Sequence, residues 1–170
     1  MAHLELYVIR HGIAEDSAPD GKDESRALTD EGVEKLREVA DGLDALEVRW
    51  DLVLTSPLVR ARQTTDVLLK GMKKRGGRPE VVVTSALVPE ASPSAVLAEL
   101  AGHPEASRIA LVSHEPLVSS LAAQLLGSAV PLPFKKGGIC RIDFDAAPPQ
   151  GTGVLRWFAP PKVLRTLERG

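Results

Sequence analysis

The chain has 170 residues, 44% of them hydrophobic, which is enough to bury a core of ordinary size and is close to the length of one domain. Its 21 basic and 23 acidic side chains leave a net charge of -2, so no overall field draws it to nucleic acid or to a membrane surface, and any anion site has to be local. The lone cysteine, Cys140, excludes an intramolecular disulfide and a cysteine-based zinc cluster; with no signal-like leader and no apolar run of membrane length, the expectation is one cytoplasmic domain over residues 1–170.

The first predicted element is the apolar, β-prone run Leu4 to Ile9, which stops on Arg10-His11-Gly12. In open α/β sheets ligands bind in the crevice beyond the carboxyl ends of the strands, so a charged pair at a strand end, followed by a glycine that permits a tight turn, points to a pocket lined by Arg10 and His11. Ile13 to Ser25 is a polar connection rich in turn formers, long enough to form a functional loop over that pocket, and it delivers Arg26. Thr29 is a candidate N-cap; Asp30 and Glu31 suit a helix N-terminus, and Val33, Leu36, Val39, Ala40, Leu43 and Leu46 recur at helical spacing, predicting a helix over about residues 30–46.

Trp50 to Thr55 reads as a second strand, and Ser56-Pro57 as the N-cap and first residue of a helix carrying Leu58, Ala61, Thr65 and Leu68 on one side. That helix is expected to end in Lys70, Lys73, Lys74 and Arg75 before Gly76-Gly77, where cations suit the negative end of the dipole; without interleaved aromatics the basic run is a solvated helix end rather than a nucleic-acid patch. Glu80 to Thr84 predicts an edge strand, Ser92-Pro93 opens a short helix closing near Gly102, and Glu90 sits in the loop between them. Arg108 to Ser113 is a buried strand of the parallel kind, ending on His114-Glu115-Pro116 before the apolar helix face of Leu117, Val118, Leu121, Ala122, Leu125 and Leu126. Ile139 to Asp145 and Thr152 to Ala159 form an antiparallel pair, with Cys140 a packed small hydrophobe, and Pro160-Pro161 introduces a short terminal helix. The fold class is α/β: a three-layer α/β/α arrangement with a mostly parallel sheet plus an antiparallel C-terminal strand pair.

Three of the predicted strands end in the same idiom, and right-handed crossovers bring the carboxyl ends of parallel strands to one edge of the sheet. Arg10, His11, Arg60 in the first turn of its helix, and His114 therefore converge, with Arg26 arriving from the loop. Histidines and arginines without a cluster of carboxylates select a phosphoryl group: guanidinium forks match phosphate oxygens, and a neutral imidazole is a competent nucleophile towards phosphorus. A zinc site lacks the His-x-His or His-Glu-x-x-His spacing, and flanking arginines repel the cation, so no metal is expected.

Arg10-His11-Gly12, then Ser56-Pro57-Leu58-Val59-Arg60-Ala61-Arg62-Gln63-Thr64, then Val112-Ser113-His114 resemble in order the three signatures of the histidine phosphatase superfamily, the phosphoglycerate-mutase-like fold. The resemblance covers residues 4 to about 126 by motif. Within the superfamily the chain is most similar to small phosphohistidine phosphatases of the SixA type: Ala14 stands two after Gly12, and Ser25-Arg26-Ala27-Leu28-Thr29 echoes that branch. The Ser or Thr that mutases carry at the position of Ala14, and the Asn at that of Ser17, are missing.

The resemblance implies that His11 is the nucleophile, transiently phosphorylated, that Arg10, Arg60 and His114 bind the phosphoryl oxygens, and that Arg26 assists. No metal or cofactor is implied. For these roles His11 needs an unprotonated attacking nitrogen, whereas His114 must carry or donate a proton. Glu90 lies where many family members place the acid that protonates the leaving group, and Glu115 is a second candidate. The expected activity is a metal-independent phosphatase acting through a covalent phosphohistidine on a phosphohistidine-bearing protein partner. The alternatives are a phosphatase of small phosphorylated substrates such as sugar phosphates or nucleotides, and a non-catalytic phosphoprotein-binding module.

Overall fold

The computed structural model describes residues 3–72 and 77–167. The first strand, β1 (Leu4–Arg10), sends Leu4, Leu6 and Val8 to one side of the sheet and Tyr7 and Ile9 to the other, so both its faces are apolar and both need cover. β2 (Leu52–Thr55), β3 (Glu80–Val83) and β4 (Arg108–Ser113) run parallel to it in the order β3-β2-β4-β1. β5 (Ile139–Phe144) and β6 (Val154–Ala159) extend the sheet antiparallel beyond β1. One face is covered by α1 (Asp30–Ala45), α2 (Val59–Gly71) and α5 (Pro161–Leu164), the other by α3 (Pro93–Ala101) and α4 (Leu117–Leu126). These are the expected three layers, with β3 at the edge as its sequence suggested.

The connectivity locates the crevice. The chain leaves β1 through α1 on one face and travels outward to β2 and β3; α3 returns it on the opposite face to β4, beside β1, and α4 leaves β4 on that second face. The connections that follow β1 and β4 thus diverge, opening the sheet's topological switch point between the two strands that end on Arg10-His11 and Ser113-His114.

Three local expectations change. Ser56 and Pro57 do not open α2, which begins at Val59 with Leu58 in the cap position. The Ser56 hydroxyl does accept the Leu58 N–H at 3.2 Å, but the backbone of Ser56 still belongs to the sheet, its N–H donating to Val112 at 3.0 Å. At the other end α2 stops at Gly71, and the expected Lys73-Lys74-Arg75 terminus lies outside the described residues. In α1, Thr29 caps as expected by accepting the Gly32 N–H, but Leu46 falls past the last turn and is exposed. Two short 3-10 turns, Asp23–Ser25 and Ser85–Leu87, were not foreseen. Cys140 packs as a small hydrophobe in β5, and burial pushes its thiol up to about 12.

Close approach rather than turn geometry explains the two glycines next to the strand end. A Cβ on Gly12 would lie 2.7 Å from Leu36 of α1, and one on Gly32 would lie 2.2 Å from the Ile13 carbonyl oxygen, which also accepts the Thr29 N–H at 2.9 Å. The first turn of α1 is therefore seated on the backbone that follows His11. Gly32→Ala tests this: alanine favours an ordinary helix by about 1 kcal/mol, yet here it should lower the free energy of urea unfolding by about 1–3 kcal/mol. A gain in stability would contradict the contact.

Candidate active site

The row of side chains at the switch point is built by the sheet itself. Beyond the last paired residues the ladder runs on, with the His11 N–H donating to Ser113 at 3.0 Å and the Ser56 N–H donating to Val112 at 3.0 Å. His11, Ser56 and His114 consequently sit side by side at the ends of β1, β2 and β4. The two imidazoles are buried, with ring centroids 5.1 Å apart and planes tilted by 53°.

Hydrogen bonding assigns the proton of His11. Its Nδ1 lies 2.7 Å from the carbonyl oxygen of Gly12, which only accepts, so Nδ1–H donates and Nε2 keeps a free lone pair. Gly12 is held in turn, its N–H donating to Thr64 Oγ1 at 3.0 Å while that hydroxyl donates to the Arg60 carbonyl at 2.7 Å. His114 is bonded through Nε2 to Ser56 Oγ at 2.7 Å, and its Nδ1 is buried without a hydrogen-bond partner. Burial, helped by Arg60 and Arg10 and only partly opposed by the Gly12 bond, pulls His11 down to about 4. Burial likewise takes His114 down to about 3, with His11 and Arg60 adding to the effect. Both rings are neutral at pH 7.

The expected arginines surround these rings. Arg60, buried in the first turn of α2, donates from Nη1 to the Asp23 carbonyl at 2.9 Å and from Nη2 to the Asp23 carboxylate at 3.1 Å. Arg26 donates from Nε to the other oxygen of the same carboxylate at 2.8 Å and from Nη1 to the Glu15 carbonyl at 2.8 Å. Arg10 donates to the Phe134 carbonyl at 2.7 Å, and the following loop is fastened over it by the Gly137 N–H, which reaches the carbonyls of Arg10 and His11. Arg10 Nε, Arg60 Nε and His114 Nδ1 are all buried and unpartnered. Three unsatisfied polar groups from three elements are costly in a folded chain and suit a ligand bristling with anionic oxygens.

The carboxylates are placed differently. Glu115 is half-buried and both its oxygens are occupied, one by the Ser119 N–H at 3.0 Å and one by the Phe134 N–H at 3.3 Å. It organises the loop beside Arg10 rather than facing the site as an acid. Glu90 is exposed, although the preceding turn is tied to the site by Ser113 Oγ, which donates to the Leu87 carbonyl at 2.6 Å. Burial raises the Asp23 carboxyl, but the hydrogen bonds from Arg26 and Arg60 more than offset it and hold the group below the usual range. Among the described residues no cluster of three or more His, Cys, Asp or Glu side chains is disposed to hold a metal ion, and no helix is long and apolar enough to cross a membrane.

Asp23, Ser56, Gln63 and Thr64 were missed as parts of the site. Gln63 Oε1 accepts the Leu28 N–H at 2.7 Å, tying α2 to the segment behind Arg26. The signal available was the polar set Arg60, Gln63 and Thr64 at i, i+3 and i+4, which shares one side of a helix that also buries Ala61, Thr65 and Leu68.

Similarity to known proteins shows the family. The family model of the histidine phosphatase superfamily (branch 1) matches residues 6–87. The phosphohistidine phosphatase SixA of Escherichia coli is 30% identical over 170 residues, covering 95% of this chain and 97% of that protein. This chain belongs to the histidine phosphatase superfamily. An uncharacterized protein of Picosynechococcus is 36% identical over 148 residues, covering 85% of this chain and 87% of the relative. The solved structure of the protein histidine phosphatase SixA complexed with tungstate superposes with a TM-score of 0.82 at 28% identity, over 95% of this chain and 99% of that one.

Neutral, buried histidines make the stability of this histidine phosphatase depend on pH with a definite sign. The folded values, about 4 and about 3, lie below the unfolded value near 6.5, so the unfolded chain binds more protons below that pH. Their contribution is complete above pH 6.5 and is lost as pH falls towards 4. Relative to a His11→Asn/His114→Asn variant, the unfolding free energy of the wild type should fall by about 1.4 kcal/mol per pH unit per histidine over that window. Parallel pH profiles would contradict the assignment of two neutral rings.

Proposed function

We propose that this histidine phosphatase works through a covalent intermediate on His11 and that its substrate is phosphohistidine in a protein partner. In the first step His11 Nε2 attacks phosphorus, the bond from phosphorus to the substrate's imidazole nitrogen breaks, and that nitrogen takes up a proton. In the second, water attacks phosphorus and releases a proton to solvent, replacing the one the departing imidazole took from solvent; the P–Nε2 bond breaks, inorganic phosphate leaves, and Nε2 recovers its lone pair. Arg10, Arg60 and His114 hold the phosphoryl oxygens, and Arg26 supports Arg60 through their shared Asp23. Fixed cations neutralise developing phosphoryl charge, work that magnesium performs in kinases.

One observation carries the mechanism: the unprotonated Nε2 belongs to a ring 5.1 Å from that of His114 and under the charges of Arg60 and Arg10, and each of these three neighbours has a buried nitrogen without a hydrogen-bond partner. A module that only bound phosphate would need the donors but not the lone pair. Two observations support the substrate. The relative from Escherichia coli is named a phosphohistidine phosphatase. Of the carboxylates near the site, Glu115 has both oxygens engaged by backbone N–H groups and Asp23 is held ionised by two arginines, so neither is set up as the acid. A departing imidazole needs protonation less than an alkoxide does. The fastened turn before the exposed Glu90 favours the second reading, a phosphatase of small phosphomonoesters, in which Glu90 supplies the acid.

Turnover of a phosphohistidine-bearing protein and of a panel of sugar and nucleotide phosphates separates the two. The proposal predicts a preference for phosphohistidine, a loss of about 10⁴-fold or more in His11→Ala on every substrate, and a Glu90→Gln defect larger on the monoesters. Normal turnover by His11→Ala would overturn the mechanism, and turnover confined to monoesters would overturn the substrate.

A further inference from the structure

Ser56 was read from the sequence as a helix cap, but its hydroxyl touches one ring of the pair. The residue is fully buried, its Oγ accepts the Leu58 N–H at 3.2 Å, and the same oxygen lies 2.7 Å from His114 Nε2. A serine hydroxyl has one proton to give and two lone pairs to offer. If His114 Nε2 carried the imidazole proton, Ser56 Oγ would accept twice, leaving its own buried hydrogen without an acceptor in the described structure and turning the lone pair of the buried His114 Nδ1 towards the site. If the hydroxyl donates to Nε2 instead, Ser56 is satisfied as donor and as acceptor, and His114 Nδ1 carries an N–H. Buried hydroxyls that keep an unused donor are penalised, so the second arrangement wins.

We propose that Ser56 is a positioning residue that donates to His114 Nε2 and thereby fixes the tautomer in which Nδ1–H of a neutral ring is presented to a phosphoryl oxygen. The inference rests on the phosphoryl-transfer reading of the site for its purpose, but not for its test. The Gly12 carbonyl imposes the same tautomer on His11, yet with the opposite result, because there it is the bare Nε2 that is left for chemistry. Two oxygen atoms, one a carbonyl and one a hydroxyl, thus differentiate two neutral imidazoles into an electron-pair donor and a proton donor. The lone pair of the wrong His114 tautomer would instead face the anionic oxygens it has to bind.

The test is the nitrogen-15 NMR spectrum of the histidine rings at pH 7 in the ligand-free protein, which reads each tautomer without reference to activity. In the wild type His114 should be neutral with its proton on Nδ1, as should His11. Ser56→Ala should move the His114 proton towards Nε2 and leave His11 unchanged, weaken the binding of inorganic phosphate, and lower kcat/KM by about 100-fold, the scale of losing one well-placed donor. Ser56→Thr, which keeps a hydroxyl, should restore the Nδ1–H tautomer. A wild-type His114 protonated on Nε2, or a tautomer indifferent to Ser56→Ala, would overturn the proposal. Because the wild-type spectrum alone decides the first point, a variant that fails to fold does not rescue it. Normal turnover by His11→Ala would overturn the proposed mechanism while leaving the tautomer result intact.

Discussion

Two imidazoles 5.1 Å apart, buried and ringed by arginines, cannot both be charged, and the rest of the site is arranged around keeping them neutral. Neutrality alone leaves each ring free to hold its proton on either nitrogen. The bond to the Gly12 carbonyl decides the matter for His11, and that bond needs Gly12 held still. Thr64 on α2 grips its N–H, and Leu36 on α1 fills the space a Cβ there would need. The packing of two helices on one sheet face is in this way converted into the position of a proton.

α2 and the strand end just before it carry most of these constraints. Ser56 reaches His114, Arg60 reaches both the site and Asp23, Gln63 reaches the backbone behind Arg26, and Thr64 reaches Gly12. The spacing of polar residues in the second motif is thus a list of attachments made by two turns of helix and the strand end before it. Asp23 completes the design from the loop side. By bridging Arg26 and Arg60 it balances part of the positive charge and joins the loop over the site to the helix beneath it.

Much of this architecture was legible in the chain. Apolar runs with the right period announced the sheet and its helices, and the repeated pattern of an apolar strand ending on Arg10-His11, Ser56 or His114 announced the edge where they meet. What escaped were contacts whose partners are far apart in sequence. Ser56-Pro57 obeys the local grammar of a helix start, but His114, 58 residues later, claims the same hydroxyl. Asp23 reads as a turn former until Arg60 is folded against it, and Gly12 reads as a turn until Leu36 arrives from α1. Local patterns specify the elements; competition among distant partners for one polar group is settled only by packing.

In the proposed mechanism the chemistry occurs at one atom, Nε2 of His11. It is tested most directly by trapping the phosphorylated protein under alkaline quench and determining, by phosphorus NMR and fragmentation of the labelled peptide, which residue and which ring nitrogen carry the phosphoryl group. Phosphate is expected on Nε2 of His11. Phosphate on Nδ1 of His11, or on His114, would contradict it.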